Sequence, residues 1–112
     1  MKTSGILCDQ DGKNWLKFHN AQVRYGAFVA NYNLVDFPKQ EREIFREHED
    51  RVSRQEFSLI EEVERKIDEF KLSVIWEGEK EPVRVYDVQL ISGRLSFRTT
   101  PRAVGPECDA NN

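Results

Sequence analysis

Glycine is missing from the whole stretch Pro38 to Lys71, and proline occurs there only at the first position. These are the two residues that most strongly punctuate local structure, so the spacing of side chains has to carry the reading of those residues. Histidine and cysteine are scarce as well, with two of each. A secreted scaffold of this size usually carries more cysteine, and Cys8 and Cys108 lie near opposite ends of the sequence, so both are read as free thiols. Long apolar runs are absent too. Ile6-Leu7-Cys8 is too short for a signal peptide, and Ala27-Phe28-Val29-Ala30 cannot span a bilayer. No Asn-x-Ser/Thr sequon occurs. A cytoplasmic protein without a membrane role is the expectation.

An excess of positive charge is also lacking. The net charge is −3 over 112 residues, which provides no general field to recruit nucleic acid or an acidic membrane. The distribution is uneven. Residues 1–35 set Lys2, Lys13, Lys17 and Arg24 against Asp9 and Asp11, whereas residues 36–71 hold twelve acids against eight bases. Charged residues make up 33% of the chain and apolar ones 38%, yet seven Phe, three Tyr and two Trp argue for a folded core. One domain over residues 1–99 is expected, followed by a disordered tail over 100–112 that contains two prolines, a glycine and the terminal Asn111-Asn112.

What is present is a helix pattern set between strand patterns. Phe57, Ile60, Val63, Ile67 and Phe70 recur at spacings of three and four, the apolar stripe of an amphipathic helix. On its other faces Glu61–Arg65 and Glu62–Lys66 place an acid four residues before a base. Residues 38–71 form either one helix or two. Ser53-Arg54-Gln55-Glu56 has the form of a capping box, with Val52 and Phe57 positioned as a hydrophobic staple, which predicts a new start at Ser53. Glu47–Arg51 and Asp50–Arg54 favour a helix running through. A continuous helix would be about 50 Å long, more than a domain of this size spans, so a break near Val52 is expected.

Before the helix, alternation predicts strands over Gly5–Asp9, Lys13–Gln22 and Val23–Val35, with Asp11-Gly12 as a hairpin turn. Gly26 reads as a bulge. After it, strands are predicted from Leu72, over Val83–Ile91, and through Leu95 and Phe97 beyond a tight Ser92-Gly93 turn. The fold class is thus α+β: an antiparallel sheet of two three-stranded meanders (β3-α-β3) packed against a central long or bent amphipathic helix. The predicted core is Leu16, Phe18, Phe28, Ile60, Val63, Ile67, Phe70, Val74, Val88, Leu90 and Phe97. Trp15, Lys17 and His19 are left facing outward.

Chemistry-bearing constellations are few. His19 and His48 have no second histidine or cysteine at ligand spacing, and the neighbours Glu47, Glu49 and Asp50 point in different directions from His48 on a helix. His48 is better read as continuing an apolar stripe with Phe45 and Val52. Nothing near Cys8 would activate its thiol, and the six glycines are dispersed, so no phosphate-cradling loop exists. No catalytic residue, metal or cofactor is expected, and catalysis is not the leading reading. Two binding surfaces remain. The first is an acidic helical surface, Glu47, Asp50, Glu61, Glu62 and Asp68, suited to a basic protein partner. A small regulatory or inhibitory protein of immunity-protein or antitoxin type fits that outline by analogy. The second interleaves bases with aromatics over Lys13, Trp15, Lys17, His19, Arg24 and Tyr25, as a platform for single-stranded nucleic acid does.

Overall fold

The computed structural model describes residues 3–101. The expected tail from residue 102 on, and Cys108 with it, lie outside the described residues. The order of elements is β1 (Gly5–Cys8), β2 (Asn14–Arg24), β3 (Ala27–Leu34), α1 (Lys39–Ser53), α2 (Phe57–Asp68), β4 (Ser73–Trp76), β5 (Val83–Arg84), β6 (Tyr86–Ile91) and β7 (Arg94–Arg98). The class is α+β, with one seven-stranded antiparallel sheet and two helices.

The first three strands form the expected meander. The later strands do not form a second one. The sheet order is β5-β4-β1-β2-β3-β7-β6, so β4 and β5 extend the meander beyond β1 while the β6–β7 hairpin extends it beyond β3. The expected single strand Val83–Ile91 is divided at Val85: its first half pairs with β4 and its second with β7. Those halves are the two edges of the sheet, and one residue separates them. The sheet must therefore curl until its edges meet. Ring contacts across the interior agree, since Trp76 on β4 lies 6.0 Å from Phe97 on β7 with three strands between them in sheet order.

Three irregularities interrupt the ladders and assist the curl. Trp15 is an extra residue of β2 between Asn14 and Leu16, which face the consecutive Cys8 and Leu7. Asn20 and Ala21 stand opposite Ala30 alone, and Asp87 and Val88 stand opposite Phe97 alone. An extra residue on one strand bends and twists it. Gly26 is not a bulge: Tyr25 and Gly26, both at positive φ, make the two-residue turn between β2 and β3. The break between strands therefore falls later than the sequence suggested. Ser92-Gly93 forms the same kind of turn, as expected.

Inside the curl, register places Leu7, Leu16 and Val74 in one row and Gly5, Phe18 and Trp76 in the next. Gly5 has to lack a side chain. A Cβ there would lie 2.8 Å from the Phe18 ring and 2.6 Å from the Ile75 carbonyl oxygen. Phe18, Phe28, Trp76 and Phe97 form an aromatic group with centroids 5.1–6.0 Å apart. Of the predicted core, Leu16, Phe18, Val63, Ile67, Val74, Val88, Leu90 and Phe97 are buried, with Phe28 and Phe70 packed against them. Ile60 is only half-buried.

Trp15 corrects the sequence reading. The β1–β2 register shifts at Trp15, which stands as an extra residue between Asn14 and Leu16, so simple alternation does not hold there and the ring is covered rather than open. Phe37, just before α1, stacks on the indole at 4.6 Å; Phe70, just after α2, meets it edge-on at 5.5 Å; Phe45 of α1 completes the group. The ring is 2% exposed, and its Nε1–H donates to Asp9 Oδ2 at 3.0 Å.

The helical stretch does break, but not through a capping box. Ser53 is the last residue of α1, and α2 begins after Glu56 with no side-chain cap. The break is a C-terminal motif: Gln55 adopts φ +59, its N–H donates to the Val52 carbonyl, and that of Glu56 to the Arg51 carbonyl. Arg51 clips the corner, with Nη1 donating to Glu56 Oε1 at 2.8 Å and Nη2 to Glu47 Oε2 at 3.5 Å. The Glu47–Arg51 and Asp50–Arg54 pairs are both made within α1 and its cap, so neither needs a continuous helix. The longest dimension is 38 Å, too short for an unbroken helix of about 50 Å.

Candidate functional site

The corner between the helices places a large apolar side chain in water. Phe57, expected in the stripe, opens α2 and is 70% exposed, because the left-handed Gln55 turns the chain before the new helix begins. Leu59 beside it is 39% exposed. One turn on, Glu61 stands above Phe57 at i,i+4 with Glu62 next to it, and both are exposed. Neither carboxylate forms an ion pair among the described residues.

The other three acids of the expected surface have internal partners. Glu47 meets Arg51 at 3.5 Å, Asp50 meets Arg54 at 3.5 Å, and Asp68 meets Arg84 at 3.6 Å. The structure therefore leaves Glu61 and Glu62 as free charge and adds Phe57 and Leu59 to them. A signal for this existed in the sequence. Phe57 stands at the first position of the stripe, where helix direction is set by whatever precedes it.

The basic–aromatic surface is divided. Trp15 is buried, which removes from it the ring expected to stack on a base. Lys13 approaches Asp36 at 3.9 Å. Lys17 is exposed and His19 half-buried on the outer face of β2. Arg24 and Tyr25 stand apart from them at the hairpin tip, with Tyr25 fully exposed.

His48 is wholly buried between the helices, as its stripe position implied. Its Nε2–H donates to Glu64 Oε2 at 3.1 Å, since a carboxylate can only accept, while Nδ1 has no partner among the described residues. Glu64 is the polar partner that lets a histidine be buried in an interhelical seam. Cys8 is also buried, with Sγ 3.6 Å from the Ser73 carbonyl oxygen. Burial, then the Asp9 carboxylate beside it, push its thiol up from the ordinary value, which keeps the unreactive protonated form. Among the described residues no group of three or more His, Cys, Asp or Glu side chains is placed to hold a metal ion. No helix there is long and apolar enough to cross a membrane. No family model, curated protein or solved structure matches the chain.

Proposed function

We propose that this chain is a small protein-binding module, regulatory or inhibitory, whose contact surface is the start of α2. The observation that carries the reading is the 70% exposure of Phe57. Most of the other aromatic rings are packed on each other. An aromatic anchor with a charged rim is the usual make-up of a protein interface centre. Burying Phe57 in a partner's pocket is worth about 1.5–3 kcal/mol. Glu61 and Glu62 add electrostatic selection for a partner with basic residues around that pocket.

The test is affinity capture from native lysate, comparing the wild-type chain with Phe57→Ala and with Glu61→Lys/Glu62→Lys. Both variants alter exposed positions, so their melting temperatures should match the wild type. A protein captured in stoichiometric amount by the wild type should be lost from both. Its retention by both variants, or recovery of nucleic acid in place of protein, would overturn the reading.

A further inference from the structure

A second surface carries charge of the opposite sign. The carboxyl end of β3 and the first half of α1 enclose a cleft of about 200 Å³, lined by Tyr32, Leu34, Arg42, Arg46 and Leu90 with Phe45 at its base. Arg42 and Arg46 are one helical turn apart, so their side chains rise from neighbouring points about 6 Å apart on one face. Further along the same helix, Arg51 and Arg54 are each tied to a carboxylate. Arg42 and Arg46 form no ion pair among the described residues. Glu49 also borders the cleft, its Oε2 accepting the backbone N–H of Ser92 at 2.8 Å, so the two arginines outweigh its one negative charge.

The placement of these arginines runs against local preference. The first turns of a helix favour acids, because the unpaired N–H groups there are positive. Lys39 and Arg42 nevertheless occupy the start of α1, with Glu41 the one acid in its first turn. Arg42 closes the first turn and Arg46 lies one turn beyond it, so two unpaired guanidinium groups side by side form a site for an anion. The wall opposite is aliphatic, and Leu34 is 48% exposed for a strand residue beside it. Burial, and then the Glu49 carboxylate, push the Tyr32 phenol above its ordinary value. Its hydroxyl is a hydrogen-bond donor at neutral pH, as that of an ordinary tyrosine is.

The cleft is smaller than the roughly 300–1,000 Å³ of a pocket for a drug-sized ligand. One residue's worth of ligand must then supply both the negative charge and the apolar group. An internal acidic segment needs two residues to do that; a chain-terminal aliphatic residue has both on a single α-carbon. We infer that this cleft binds the carboxyl-terminal residue of a partner peptide, its carboxylate between Arg42 and Arg46 and its aliphatic side chain against Leu34 and Leu90. This site does not rest on the α2 surface.

The experiment is a ¹H–¹⁵N NMR titration of the full chain with N-acetyl-leucine, the smallest molecule with both groups. A single residue should bind with a Kd on the order of millimolar. Shifts should concentrate at Tyr32, Leu34, Arg42, Arg46 and Leu90. N-acetyl-leucinamide, which lacks the carboxylate, should bind about tenfold or more weakly, as should N-acetyl-leucine to the Arg42→Gln/Arg46→Gln variant. That variant breaks no ion pair and should keep the wild-type spectrum elsewhere. Equal binding of the amide, binding that survives in the variant, or no shifts at the cleft would each overturn the inference. Inorganic phosphate producing the same shifts at equal strength would overturn it too, in favour of a plain anion site.

Discussion

Cys8 shows how one buried side chain couples the molecule to pH. Desolvation and the adjacent Asp9 raise its thiol in the folded state, whereas the unfolded thiol titrates near 8.5. Between those two values the folded chain holds the proton that the unfolded chain has lost, so folded stability falls as pH rises through that window. Below the unfolded value the contribution is complete. Denaturant midpoints measured from neutral pH upward should therefore decline from about pH 8.5. Cys8→Ala should flatten that decline; an unchanged slope in the variant would assign it to other groups. At the same scale Trp15 marks where sequence reading stops. Alternation with Leu16 left it facing outward, and two things overturn that: the register against β1 shifts at Trp15, and Phe37, Phe45 and Phe70 reach the indole from elements far away in sequence.

At the scale of elements, the helix break was legible by length and illegible by mechanism. A chain that avoids glycine over Pro38–Lys71 still needs a left-handed residue to turn, and Gln55 adopts that conformation at a cost. The pattern Ser53-x-x-Glu56 imitates a helix start while lying on a helix end. The two assignments differ in outcome. Ser53→Ala should change stability by no more than about 0.5 kcal/mol, since the hydroxyl caps nothing. Gln55→Gly should stabilise by roughly 1 kcal/mol, because glycine adopts φ +59 without strain. Urea midpoints of the two variants decide it: a marked loss in Ser53→Ala would restore the capping box. The acidic surface follows the same division. The five carboxylates could be counted from the sequence, but which of them Arg51, Arg54 and Arg84 would neutralise depends on how the helices end and on where β5 runs.

For the whole molecule, the feature no local pattern announced is the segment Val83–Ile91 serving both edges of the sheet. Its apolar alternation reads the same whether it pairs with one neighbour or with two. Val85 is the joint, buried, with its N–H donating to the Leu72 carbonyl at 3.0 Å. If the curl closes as one unit, the Val85 amide should exchange with solvent only through global unfolding, at the free energy found for Leu16 in the middle of the sheet. Native-state hydrogen exchange across a denaturant series measures both. A Val85 amide that opens at much lower free energy would mean the seam frays on its own.

That joint also sets a timetable for biosynthesis. When a ribosome has released residues up to Lys71, the β1–β3 meander exists with nothing against either outer strand. The partner of β1 arrives with Ser73–Trp76, and that of β3 only with Arg94–Arg98. The nascent chain therefore offers two unpaired backbone rows at once, the condition that invites pairing with a stranger. It is relieved not by degrees but in two steps, the second of them coming only after every other strand of the sheet has been made.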